Sequence, residues 1–172
     1  MKRKSLLLLF FFTCFCYIQA GYAQRGDIAL GIRATPDGGG LSSKYFFDRN
    51  LAFEGQVNAG GIIGLEGKSF NMAGLMEYHI SLPDPSWRLF LGGGMHLGTW
   101  NRGNRYSERA GRYVNGSEFI LGIDAIGGVE YLFKKIPLGL SADFKPAVNF
   151  LSEIDFFPHN MFGASARFYI TR

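Results

Sequence analysis

Apolar and polar residues take turns along most of this chain. Between residues 138 and 150, Leu138, Leu140, Ala142, Phe144, Pro146, Val148 and Phe150 hold one parity, and Gly139, Ser141, Asp143, Lys145, Ala147 and Asn149 hold the other. A period of two is the signature of a β-strand with two unlike faces. The same alternation predicts eight strands, near 26–35, 40–47, 51–60, 69–80, 87–100, 118–133, 138–150 and 161–171. Most approach the ~9–11 residues with which a tilted strand crosses a bilayer. Pro146 deletes a ladder hydrogen bond from the seventh strand and marks a bulge there.

One face is apolar throughout. It carries Ile28, Leu30 and Ile32, then Tyr45, Phe47, Leu51, Phe53 and Val57, then Phe70, Met72, Met76, Tyr78 and Ile80, and continues in the same way to Phe168 and Ile170. The other face is built of glycines (Gly31, Gly92, Gly94, Gly98, Gly122, Gly128, Gly139, Gly163) and of ten charges. Those charges are Arg33, Lys44, Glu54, Glu77, Arg88, Asp124, Glu130, Asp143, Lys145 and Arg167, five of each sign. A balanced set can pair inside a narrow barrel, whereas each Arg or Lys on a lipid face would cost roughly 2–4 kcal/mol at the midplane. The prediction is therefore an all-β, eight-stranded antiparallel up-and-down transmembrane β-barrel with a charged interior. The alternative is a soluble lipocalin-like barrel, with its apolar side chains turned inward around a ligand. Aromatics favour the membrane arrangement. Tyr45, Phe47, Phe53, Tyr78, Trp87, Tyr131, Phe133 and Phe168 gather beside one set of turns, and Phe70, Phe119, Phe150 and Phe162 towards the other end.

The connections alternate in length. Asp48-Arg49-Asn50, Pro83-Asp84-Pro85-Ser86 and Lys134-Lys135-Ile136-Pro137 are short turns, while 102–117 and 151–160 read as long loops. Short turns on the periplasmic side and longer loops outside are the pattern of outer-membrane barrels.

The first residues carry a different pattern. Lys2, Arg3 and Lys4 precede an apolar run from Leu6 to Ile18, and Gly21-Tyr22-Ala23 closes it with small residues, so residues 1–23 read as a cleaved secretory signal and 24–172 as one barrel domain. The +4 formal charge then falls to +1, because three of the 18 Lys and Arg leave with the signal and 14 acids remain. Nothing in that balance points to nucleic acid. Cys14 and Cys16 also lie in the signal, so the mature domain has no disulfide framework.

In these features the chain resembles the small eight-stranded outer-membrane barrel proteins of Gram-negative bacteria, the OmpX/OmpA-transmembrane-domain type, over roughly residues 26–172. The stretches that carry the resemblance are Ile123-Asp124-Ala125-Ile126-Gly127-Gly128-Val129-Glu130-Tyr131 with the Ile136-Pro137 turn, Ser141-Ala142-Asp143-Phe144-Lys145-Pro146, and Ala166-Arg167-Phe168-Tyr169-Ile170. It implies residence in the outer membrane, contact with its lipid and lipopolysaccharide, handling by the barrel-assembly machinery, and a monomer. Such proteins usually finish on an aromatic residue that this machinery reads. Here Phe168 or Tyr169 takes that part, since Thr171-Arg172 follow.

Chemistry-bearing motifs are sparse. Gly92-Gly93-Gly94 lacks the third glycine and the helix of a dinucleotide loop, and His79, His96 and His159 have no metal-ligand spacing, so no cofactor and no metal are expected. His79 and His96 share the parity of the charges and are expected in lumen hydrogen bonds. Asn115-Gly116-Ser117 is a chance glycosylation sequon. The expectation is a non-enzymatic protein. The alternative is a lipid-modifying enzyme of the acyltransferase or deacylase type, drawing on Ser152, Asp155 and His159 with Ser107 and Ser117 nearby. Finally, Arg102, Arg105, Arg109 and Arg112 surround the single acid Glu108, with Trp100, Tyr106 and Tyr113 between them. Guanidinium groups bind phosphates bidentately, so this segment is a candidate contact for anionic lipopolysaccharide headgroups.

Overall fold

The computed structural model describes residues 26–36, 38–60, 69–107, 112–150, 155–157 and 161–170, with side chains from 101–117 and 155–157 left aside. The expected signal at 1–23 lies outside these residues. Eight staves form among them: β1 (Ile28–Thr35), β2 (Gly38–Phe46), β3 (Leu51–Gly60), β4 (Ser69–Ser81), β5 (Trp87–Ser107), β6 (Arg112–Leu132), β7 (Leu138–Phe144 and Ala147–Asn149) and β8 (Asp155–Phe157 and Phe162–Ile170). Each stave pairs antiparallel with its sequence neighbour, and β8 returns to β1 through Ile28↔Ile170 to Ala34↔Ala164. The ring is closed among the described residues, an eight-stranded up-and-down barrel.

The three short turns form as the sequence dictates. At 47–50 the Phe47 and Asp48 amides both donate to the Leu51 carbonyl, at 2.9 and 3.3 Å. In the Pro83–Ser86 turn the Asp84 carboxylate accepts the Ser86 amide at 3.0 Å, which holds that carboxyl below its ordinary range. The seventh stave breaks at Lys145-Pro146, where proline has no N–H to give. There the Pro146 carbonyl accepts from Ala125 and the Lys145 amide donates to Met161.

Two strand limits differ from the sequence expectation. Residues 102–117 are not a long loop: β5 and β6 stay paired out to Ser107↔Arg112, with a register shift between Asn101 and Asn104. Arg102 and Arg105 therefore sit on β5 and Arg112 on β6, while Arg109 lies outside the described residues. The reason is that backbone pairing across a hairpin needs no apolar alternation, and this segment has none to read. Within 151–160, likewise, Asp155–Phe157 pairs with Ala147–Asn149.

The faces are inside-out relative to a soluble barrel. Ile32, Leu41 and Leu91 are 61–65% exposed on the outer wall, and Met72, Met76, Met95, Leu97 and Ile123 stand beside them. At the short-turn end Tyr45 meets Phe47 edge-on at 5.1 Å, and Tyr131 lies 4.9 Å from Trp87 and 5.1 Å from Phe133. Phe144 and Phe162 pair at 5.2 Å towards the other end. No charged side chain among the described residues stands on the outer wall between these aromatics.

Inside, glycines make room for large side chains on neighbouring staves. A Cβ at Gly163 would stand 2.2 Å from the Arg33 guanidinium, one at Gly128 would stand 2.5 Å from the Phe90 ring, and one at Gly122 would stand 2.5 Å from the His96 ring. Gly128 and Gly122 are the direct register partners of Phe90 and His96. Gly163→Val is therefore expected to displace Arg33 and lower stability by about 1–3 kcal/mol, the usual cost of overpacking, as read by urea unfolding in detergent micelles.

Candidate functional site

The lumen is where the barrel concentrates its chemistry. All ten charges of the glycine-bearing face point into it and are buried, none more than 6% exposed. They separate into two groups along the barrel axis, each electrically balanced.

The group nearer the short turns holds Lys44, Arg88 and Arg167 against Glu54, Glu77 and Glu130. Lys44 Nζ stands 3.2 Å from Glu54 Oε2 and 2.7 Å from Glu77 Oε2, and also sits 4.6 Å over the Phe90 ring. Arg167 spreads its guanidinium over three partners: Nη2 to Glu54 Oε1 at 2.6 Å, Nε to Ser42 Oγ and Nη1 to Ser141 Oγ, both at 2.7 Å. Ser42 and Gln56 donate to the same Glu54 oxygen, at 2.8 and 2.9 Å. Glu54 is the hub, reached by four groups from β2, β3 and β8. Arg88 faces Glu130 in register. His79 hydrogen-bonds Glu77, with Nε2 3.1 Å from Oε2, and its Nδ1 faces Glu130 Oε2 at 3.9 Å.

The group nearer the long connections holds Arg33 and Lys145 against Asp143 and Asp124. Arg33 pairs with Asp143 across 110 residues of sequence. Lys145 Nζ donates to Asp124 Oδ1 at 3.3 Å, and His96 lies between Asp124 Oδ2 at 3.1 Å and Asn149 Oδ1 at 2.7 Å. Asn58 donates to Asn71 at 3.1 Å beside them. Charged pairs so fully removed from water are held best where their remaining polar atoms are also hydrogen-bonded, and Ser42, Ser141, Gln56, His96 and Asn149 supply part of that here.

Apolar side chains interrupt the charges; alternation with Phe168 and Ile170 outward puts Tyr169 inward, but it did not signal the rest. Ala29, Phe46, Ala52, Leu132 and Tyr169 pack together at the short-turn end, and Leu75, Phe90 and Ile126 form a second cluster higher in the lumen. Phe46 and Phe90 are the centres of the triplets Tyr45-Phe46-Phe47 and Leu89-Phe90-Leu91. Their inward parity follows from the charges two residues away, Lys44 and Arg88. That is the signal which could have found them.

The other sequence candidates fall elsewhere. Arg102, Arg105 and Arg112 lie on the β5–β6 hairpin beyond the last β4 partner, Ser69↔Trp100, and beyond the last β7 partner, Gly122↔Asn149. Ser152 and His159 lie outside the described residues. Asp155 is placed by backbone register opposite Asn149, and Ser107 opposite Arg112. Of the two closing aromatics, Tyr169 is buried in the lumen and Phe168 faces outward, half-buried. Gly92, Gly93 and Gly94 are β5 residues.

The fold is that of small eight-stranded outer-membrane β-barrels. The chain is similar to the crystal structure of the N-terminal β-barrel domain of Pseudomonas aeruginosa OprF, with a TM-score of 0.67 at 13% sequence identity, over 86% of this chain and 100% of that one. It also aligns with the solution structure of the E. coli outer membrane protein W at 14% identity, over 86% of this chain and 99% of that one, but with a TM-score of 0.49 this second likeness carries no weight below. No family model matches the sequence. No curated protein sequence matches it either.

The Arg33–Asp143 pair supplies the sharpest energetic test. Asp143→Asn leaves a guanidinium buried without its counter-charge and is expected to cost about 3–5 kcal/mol, whereas replacing both members by apolar residues of like size, Arg33→Met with Asp143→Leu, is expected to lie near wild type. Denaturant unfolding in micelles reads both.

Proposed function

We propose that this chain is an integral outer-membrane β-barrel protein without catalytic activity, reached by signal-directed export, whose lumen is a packed interior and whose outer rim makes its contacts. One observation carries the reading: the described charges avoid the outer wall and pair inside, while that wall is apolar between two belts of aromatics. Such a surface is stable in lipid and unstable in water. A lipocalin-like barrel needs the opposite arrangement, an apolar cavity and a polar wall.

Eight staves leave an interior just wide enough for side chains. Arg33, Lys44, Arg88, Lys145, Arg167 and Tyr169 fill it, which supports a lumen closed to solutes larger than water or small ions. The arginine-bearing hairpin continues past its neighbouring staves, so among the described residues Arg102, Arg105 and Arg112 stand beyond the last β4 and β7 partners, away from the short turns. Phosphates of lipopolysaccharide, or an acidic surface partner, suit that position.

Three measurements test the proposal. The protein is expected in the membrane fraction with a mobility that changes on boiling; a soluble protein with unchanged mobility overturns the reading. Changing Arg102, Arg105, Arg109 and Arg112 to Gln should weaken lipopolysaccharide co-purification in a salt-sensitive way, and unaltered retention removes that contact. Lipid A from cells overproducing wild type and His159→Ala should give identical mass spectra; acylation that depends on His159 restores the enzyme alternative.

A further inference from the structure

The closed lumen proposed above can be closed in two ways, by its ion pairs or by its apolar layers, and the two make different predictions. At the short-turn end of the barrel, side chains from seven of the eight staves or their flanking turns converge on the lumen. Ala29 comes from β1, Phe46 from β2, Ala52 from β3, His79 from β4, Ser86 from the turn into β5, Leu132 from β6 and Tyr169 from β8, and all are between 0 and 6% exposed. Gly139 of β7 leaves the gap into which the others fold: a Cβ there would stand 2.8 Å from the Tyr169 ring and 3.1 Å from Leu132.

The aromatics knit these side chains together across the lumen. Phe46 lies 6.0 Å from Tyr169 and 5.1 Å from His79, and His79 stacks on Phe90 at 5.5 Å. Phe90 belongs to the second apolar cluster, with Leu75 and Ile126. The six-charge group therefore lies between an apolar floor below and an apolar cluster above, on the β4 to β6 side. Within the chamber Glu77 Oε1 and both Glu130 oxygens lack a hydrogen bond, and at the level of the floor Ser86 Oγ, His79 Nδ1 and Tyr169 Oη lack one too, so the apolar part of the floor is formed by the Phe46 ring, the Leu132 side chain and the Tyr169 ring. A hydrated charged chamber does not in itself stop water and small ions. A ring of apolar side chains does, by excluding the water that an ion must carry with it.

We propose that the barrier to passage through this barrel is the apolar floor of Phe46, Leu132 and Tyr169, and that the ion pairs above it hold the staves together without forming the seal. Phe46 is the centre of the floor, since it touches both the Tyr169 ring and the His79 ring that leads into the chamber. The inference rests on the closed-lumen reading, and wild type itself tests that reading.

The experiment is planar-bilayer recording of the refolded full barrel, with boiling-dependent mobility confirming that each variant is folded. Wild type should show no large, stable conductance; if it does, the closed-lumen reading falls before the floor is at issue. Phe46→Ala should raise small-conductance activity on the order of tenfold or more over wild type, while Phe46→Leu, which keeps the floor apolar and filled, should remain closed. Glu54→Gln, which removes the hub of the ion pairs but leaves the floor intact, should also remain closed. If Phe46→Ala fails to fold, Leu132→Ala takes its place with the same expectation. A closed, folded floor variant, or a current that opens in Glu54→Gln with the floor untouched, overturns the proposal and returns the seal to the ion pairs.

Discussion

The outer wall of this barrel is apolar, so each charge on a stave sits on the inner face, and the rest of the structure depends on that constraint. Because the sheet closes on itself, each stave offers one face to the outside and one to a narrow interior. The ten strand charges take the interior, where the distance between opposing staves is short enough for direct pairing. Among these ten the signs balance, three against three near the short turns and two against two nearer the long connections, and Asp27 is a further buried acid at the short-turn end. Removing one partner is then worse than removing both, since what remains is a lone charge in a medium that cannot solvate it.

Packing follows from the same geometry. Long side chains that converge on one axis need space, and the inner glycines provide it opposite or beside the largest of them: Gly163 for Arg33, Gly128 for Phe90, Gly122 for His96 and Gly139 for Tyr169. The glycine content that makes the inner face look featureless in the sequence is the complement of its bulkiest residues. Serine and amide side chains complete the arrangement. Ser42, Ser141 and Gln56 carry the hydrogen bonds that let Glu54 and Arg167 stay charged and fixed in place.

Much of this was legible in the sequence because a period of two needs only one strand to be seen. The inward parity of Arg33, Lys44, Glu54 and the other charges, the three short turns and the aromatic belts all follow from local pattern. What was not legible has two physical causes. Register between staves is a long-range property, so neither the Arg33–Asp143 pair nor the hub at Glu54 could be read from spacing. Triplets such as Tyr45-Phe46-Phe47 blur the alternation, which hid the apolar floor. The polar segment 102–117 blurs it in the other direction, which hid the continuation of β5 and β6 as a paired hairpin. Its strand character rests on backbone hydrogen bonds that composition does not report.

Spin labels placed one at a time along β4, from Asn71 to Ile80, in the barrel reconstituted into bilayers decide whether the outer wall meets lipid while the charges face inward. Since Cys14 and Cys16 fall within the expected signal, each introduced cysteine is the single labelling site of the mature domain. Accessibility to dissolved oxygen is expected to alternate with a period of two, high at Met72, Met76 and Tyr78 and low at Asn71, Ala73 and Glu77, with a water-soluble paramagnetic reagent excluded from the outward positions. Outward positions open to that reagent, or no alternation at all, would contradict that arrangement of the faces.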